Sequence, residues 1–174
     1  AASLLPIGGV QIFVGQAGVK KPQHDDLTLL TLSEGCTIGA VFTQNRFCAA
    51  PVRVCKRHLA QAAHIRALVV NTGNANAGTG EEGYERAVAV CAAAAKQAGC
   101  KTEEVLPFST GVILEPLPSD KITAALPKVK PADWLAAARA IMTTDTVAKA
   151  ASRAGQVGGS HTVRATGIAK GSGM

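Results

Sequence analysis

Ile65-Arg66-Ala67-Leu68-Val69-Val70 runs without a break into Asn71-Thr72-Gly73-Asn74-Ala75-Asn76-Ala77-Gly78-Thr79-Gly80, and then into Glu81-Glu82-Gly83-Tyr84-Glu85-Arg86-Ala87. The first segment has the length and aliphatic content of a buried strand. The second holds only small residues and side-chain amides. It reads as a loop that offers donors and acceptors and does not pack a core. The third opens a helix expected to run from Gly80 or Glu81 to Ala98. It is rich in alanine, the best helix former. Glu81 and Glu82 suit the positive end of its dipole, and Gly99 is placed to end it. A strand, a polar loop and a helix in that order are the unit of an α/β fold.

Working toward the N-terminus, Val10–Val14 alternates as a half-buried strand does, and Leu27–Leu32 is a second strand. Thr37–Phe42 reads as a third strand, close enough to the second to form a hairpin, and Pro51–Cys55 as a fourth. Lys56–Ala63 is a short helix candidate. Working toward the C-terminus, a strand from Val105 meets a Ser109-Thr110-Gly111 turn. A helix over Pro118–Ala125 is expected to be capped by Ser119, and another over Pro131–Met142 has proline near its start. Gly155–Gly159 is a turn, and His161–Thr166 a last strand. The pattern predicts a mixed, partly antiparallel sheet with helices. No repeat or long linker divides residues 1–174, so a single domain is expected.

Hydrophobic residues make up 47% of the chain but aromatics only 3%, so the core is aliphatic. No apolar run reaches the roughly 18–20 residues of a membrane span, and Ala1–Pro6 lacks the pattern of a signal peptide. The net charge is +6, yet lysines and arginines are scattered singly, without the basic stripe or aromatic platform of a nucleic-acid binder. Neither a nucleic-acid nor a membrane partner is expected. A basic protein acting on acidic metabolites fits better, since positive potential draws anions in. The five cysteines form no CxxC, and the histidines lie in no ligand-like pairs, so no metal is expected. The thiols read as free and mostly buried, in a reducing cytoplasm.

Four small-residue clusters, at 71–80, 109–111, 143–146 and 167–173, each follow a strand or helix candidate. Together they point to a shared cleft. Thr110 and Gly111 offer consecutive main-chain N–H groups, as an oxyanion hole requires. Lys170, in Gly167-Ile168-Ala169-Lys170-Gly171-Ser172-Gly173-Met174, is a candidate partner for a carboxylate or phosphate. That loop lacks the spacing of a Walker A motif. Cys48 reads as a packing thiol, and no Ser-His-Asp order is legible. So specialised a loop at the end of the chain reads either as a flexible tail or as the end of one half of a cut polypeptide, with Lys170 beside an active residue of the other half.

Thr43-Gln44-Asn45-Arg46 with Ala49-Ala50-Pro51-Val52, then Val70–Ala77, Ser109–Ile113, Met142–Thr146 and Gly167–Met174, occur in this order in the ornithine acetyltransferases. These are the bifunctional glutamate N-acetyltransferases of arginine biosynthesis, and the chain resembles their α chain from about Gly9 onward. The resemblance implies a layered sandwich in an N-terminal-nucleophile-like, self-processing fold completed by a β chain. It implies an α2β2 heterotetramer in the cytoplasm. The acetyl group of N-acetylornithine would pass to glutamate through an acetyl-threonine on the β chain, without a cofactor. Acetyl-CoA is a further acetyl donor that it permits. It assigns Thr110 and Gly111 to the oxyanion hole, and Lys170 with Thr143 or Thr144, Thr143 by preference, to substrate binding. The alternatives are a related self-cleaving aminopeptidase, which would hydrolyse amides, and an inactive binding homologue.

Overall fold

Val10–Gly15 (β1) and Leu27–Leu32 (β2) pair antiparallel, with Val10 opposite Leu32 and Gly15 opposite Leu27. The computed structural model describes residues 4–159 and 161–171. After β2 come Ala50–Gln61 (α1), Ala67–Asn74 (β3), Gly80–Ala98 (α2) and Val105–Val112 (β4). Ser119–Ala125 (α3), Lys130–Ala132 (β5), Trp134–Ala140 (α4), Lys149–Val157 (β6) and His161–Ala169 (β7) complete the order. The first five strands form one sheet in the order β4-β3-β2-β1-β5, and β6 and β7 form a separate antiparallel pair. Among the described residues only β3 and β4 run parallel, because α2 carries the chain back across the sheet between them.

Strand β2 sits at the centre of the sheet and is apolar on both faces. Leu27 and Leu29 face a core built with Val54 of α1, Ala87, Cys91 and Ala94 of α2, and Ile122 of α3. Small side chains on α2 let that helix lie close to the sheet. Leu30, with Ile12 and Val14, faces the other way, against Ala137 and Ala140 of α4. The second face is covered only in part. Phe108 in the middle of β4, Val112 at its end and Ile113 just beyond it stay exposed. Among the described residues no helix is long and apolar enough to cross a membrane.

Strands β1 and β2 and helix α2 lie where the residue pattern places them, and α2 ends on Gly99 in the left-handed conformation. Four expectations fail for identifiable reasons. Residues 37–42 form no strand, because both edges of β2 are already taken by β1 and β3. Pro51–Cys55 is the first half of α1, with Pro51 in the opening turn. Its buried residues Pro51, Val54, Cys55 and His58 follow helical spacing, which over five residues resembles alternation. Pro131 lies in the edge strand β5, where a missing N–H is tolerated. The helix therefore starts at Trp134, capped by Asp133 Oδ1, which accepts from the Ala136 N–H at 2.7 Å. Ser119 caps nothing; its hydroxyl bonds Asp120 at 3.3 Å, and Pro118 holds the cap position. Strand β6, largely exposed, has no apolar period to reveal it and exists by pairing with β7.

Candidate active site

The parallel register of β3 and β4 sets Asn71 beside Ser109, Thr72 beside Thr110 and Gly73 beside Gly111, then breaks at Asn74. The two polar clusters thus end together at the carboxyl edge of the sheet, where parallel strands commonly present ligand sites. Asn71–Asn74 and Ser109–Gly111 are strand where a loop and a turn were expected, while residues 75–79 form no strand, as the reading had it. Asn71, Thr72, Asn74 and Asn76 are buried, which the sequence reading excluded. Burial is tolerable because the amides are bonded. Asn71 Nδ2 donates to the Asn74 carbonyl at 2.9 Å, and Ser109 Oγ donates to Asn71 Oδ1 at 2.6 Å. Asn74 Nδ2 reaches the Glu115 and Pro116 carbonyls at 3.1 and 3.2 Å. Asn76 Nδ2 donates to the Gly83 carbonyl at 2.8 Å. Amides here replace an apolar core and fix the strand ends as a rigid platform.

Gly111 is the tightest point of that platform. Its φ is +136°, and a Cβ would stand 2.6 Å from the Asn74 nitrogen and 2.7 Å from the Gly73 oxygen. Only glycine fits where one main chain presses on another. Above it, Lys170 follows β7, and its Nζ donates to Thr110 Oγ1. The Thr110 hydroxyl keeps its own proton to donate elsewhere.

Thr143 and Thr144 follow α4 and are held to the Lys170 segment by Asp145. The Asp145 side chain is only 1% exposed. Its Oδ2 accepts from the Thr143 N–H at 3.2 Å, and its Oδ1 from the Gly171 N–H at 2.7 Å and from Lys149 Nζ. The Lys149 bond above all, with the two main-chain N–H bonds, holds the carboxyl well below its usual range, at about 2, against the opposing effect of burial.

Thr110, Gly111, Thr143, Thr144 and Lys170 all line one cleft of about 560 Å³. Lys20, Lys21 and His24 line its far side. They sit on the β1–β2 connection, which Asp26 ties down by accepting from the Ala17 and Val19 N–H groups at 2.6 and 2.7 Å. Sequence reasoning missed this lip and the bond-gathering role of Asp145. The available signal was an acid inside an otherwise small and neutral Thr143–Thr146 cluster. A second, apolar cavity of about 540 Å³ opens behind Thr110 and Lys170, among Leu68, Val70, Phe108 and Ile168. Ser172, Gly173 and Met174, part of the expected loop, lie outside the described residues, and Gly167–Ala169 belong to β7. All five cysteines are free, but only Cys55 and Cys91 are buried; Cys48 is half-buried. Among the described residues no cluster of histidine, cysteine and carboxylate could hold a metal.

The cleft brings the Lys170 ammonium onto the Thr110 hydroxyl beside Gly111, a pairing chemically suited to a carbonyl compound bearing an anionic group. The chain is 68% identical, over its whole length, to the arginine biosynthesis bifunctional protein ArgJ of Neisseria meningitidis serogroup A, and spans 43% of that relative. The protein of the same description from Neisseria gonorrhoeae is also 68% identical and is likewise spanned over 43% of its length. The structure is similar to the crystal structure of ArgJ from Bacillus halodurans (TM-score 0.88, 36% identity, 96% of this chain and 88% of that one). It is also similar to ornithine acetyltransferase from Mycobacterium tuberculosis, crystallised with ornithine (TM-score 0.77, 34% identity, 96% and 90% of the two chains). The ArgJ family pattern itself matches residues 11–174, and the chain belongs to the ArgJ family.

Proposed function

We propose that this chain is the α chain of an ornithine acetyltransferase that moves the acetyl group of N-acetylornithine to glutamate. The observation that carries the reading is the contact of Lys170 Nζ with Thr110 Oγ1 directly beside Gly111. It supports the reading because it sets a positive charge against a hydroxyl beside Gly111 in one cleft. Support comes from the relatives named as arginine biosynthesis proteins and from the neighbour crystallised with ornithine. This chain covers 43% of the former but about nine-tenths of the crystal chains, which supports a separate β chain carrying the rest. The open sheet face at Phe108 and the apolar cavity behind Thr110 suit coverage by that chain, and an α2β2 assembly is part of the reading. So are a cytoplasmic location, supported by five unpaired thiols, and the absence of a cofactor, with acetyl-CoA as a further donor.

In this mechanism a β-chain threonine oxygen attacks the acetyl carbonyl, and the carbonyl oxygen becomes an oxyanion. The main-chain N–H groups and hydroxyl at Thr110 and Gly111 stabilise it, an effect that can reach about 3–4 kcal/mol per donor. The C–N bond breaks, and ornithine leaves with the proton taken from the threonine hydroxyl. The neutral α-amine of glutamate then attacks the ester, the C–O bond breaks, and the proton returns to the threonine. Lys170 and the Thr143–Thr144 pair hold the substrate, with Lys170 on the α-carboxylate that both amino acids share.

Incubating the processed enzyme with N-acetylornithine alone tests this. Mass spectrometry should find one acetyl group on the β chain, discharged when glutamate is added. Amide hydrolysis without transfer would replace this reading with the aminopeptidase, and no acetylation at all with an inactive homologue.

A further inference from the structure

Neither α4 nor β7 alone places Lys170. Its backbone leaves β7 beside the end of α4, and the Asp145 carboxylate is what joins the two. One oxygen accepts from the Gly171 N–H at 2.7 Å, one residue beyond Lys170. The other accepts from the Thr143 N–H at 3.2 Å, at the start of the threonine pair. Lys149 Nζ, at the start of β6, completes the set. The carboxylate is shut away from water while Lys149 is 42% exposed, so the buried partners are the two main-chain N–H groups. Both site segments are short connections, and no other side-chain hydrogen bond among the described residues joins them to each other. Lys170 in turn meets Thr110. A line of contacts therefore runs from Asp145 through the Gly171 amide and Lys170 to Thr110.

We propose that Asp145 is the positioning residue of this site, locking the Thr143–Thr144 and Lys170–Gly171 segments together so that the Lys170 ammonium sits on Thr110. The proposal rests on the acetyl-transfer reading. Asp145 touches no reacting atom and acts through Lys170. Its charge suits the task. A carboxylate offers several lone pairs and so accepts from both amides and the ammonium at once. An amide in its place keeps a single acceptor oxygen, so one main-chain N–H loses its partner.

The test uses the processed enzyme, made from the full precursor, with Asp145→Ala, Asp145→Asn, Lys149→Met, Lys170→Met and the double variant Asp145→Ala/Lys170→Met. Acetyl transfer from N-acetylornithine to glutamate is measured alongside thermal unfolding. Asp145→Ala should lower kcat/KM about a hundredfold, the usual penalty for slight misplacement of site groups. Asp145→Asn should fall between it and wild type. Lys149→Met, which leaves both amide bonds, should cost no more than about fivefold. The deciding comparison is the double variant. If Asp145 acts through Lys170, adding Asp145→Ala to Lys170→Met should cost less than about threefold further, because groups working as one unit are not additive. Independent, multiplying losses would overturn the proposal. So would wild-type kinetics in Asp145→Ala, or losses that track unfolding temperature alone. If Asp145→Ala yields no folded protein, Asp145→Asn decides by the same comparison in the Lys170→Met background. Failure of wild type to transfer acetyl would instead sink the acetyl-transfer reading, so the two failures are distinguishable.

Discussion

Substituting Gly111 with alanine probes the point where β3 and β4 press together. The new methyl would meet the Asn74 nitrogen at 2.6 Å and the Gly73 oxygen at 2.7 Å, and the Gly73 carbonyl carbon more closely still. All three are main-chain atoms, so no side chain can rotate aside. Two costs add. Holding alanine at a φ of +136° costs about 1–3 kcal/mol. Forcing the strands apart by a few tenths of an ångström costs about 1–3 kcal/mol more. The sum, about 2–6 kcal/mol, corresponds to roughly 4–24 °C in Tm for a chain of this size. Gly35→Ala separates the two, since Gly35 has a φ of +84° with open space around it and carries only the first cost. Urea unfolding of both variants gives the difference directly. The same separation moves the Thr110 and Gly111 N–H groups, so the acetyl transfer proposed above should fall by about 10²-fold, the effect of losing one oxyanion donor. If Gly111→Ala unfolds like Gly35→Ala and keeps its full transfer rate, the close approach of the strands constrains neither stability nor chemistry, and the reasoning fails.

Lys170→Met keeps the stem and deletes the charge. On the proposed acetyl-transfer reading it should raise KM for N-acetylornithine and glutamate and lower kcat/KM roughly ten- to hundredfold, the worth of one charge-assisted bond. A substrate analogue lacking the α-carboxylate should barely respond, and an equal loss there would remove the carboxylate from Lys170. Burial pushes the Cys55 thiol up to about 12 and raises Cys91 as well, so iodoacetamide on the native enzyme at pH 8 should spare both. Rapid alkylation of either, read by peptide mass mapping, would mean that the helix layer opens. The Asp145 carboxyl titrates at about 2 in the fold and near 3.9 when unfolded. Its contribution is therefore full above about pH 4 and is lost as the pH falls toward 2. Asp145→Asn should flatten the acid limb of the stability curve in that window, and an unchanged limb would argue against a depressed pKa.

Elements with strong local signals were legible. Helix α2 has its alanines, its acidic first turn and its terminal glycine, and β2 has its leucines. Five candidate site residues stood out through the order of their motifs, and in the structure all five line one cleft. Elements whose existence depends on a partner were not. Nothing in Lys149–Val157 marks a strand until β7 lies against it, and Pro51–Cys55 is too short to distinguish helix from alternation.

The sequence by itself determined which residues are candidates for the chemistry, because residue type is chemistry: a lysine among glycines, a Thr-Gly pair, a run of amides. Only the tertiary structure decided that Asn71, Asn74 and Asn76 are interior struts, since an amide is buried or exposed according to the donors and acceptors that reach it. It alone decided that Asp145 faces the Gly171 amide across 26 positions of chain. A hydrogen bond of that span leaves no period in the sequence. It exists because α4 and β7 come to rest side by side, and the packing of their apolar faces, through Ala137, Ala140 and Ile168, sets that distance.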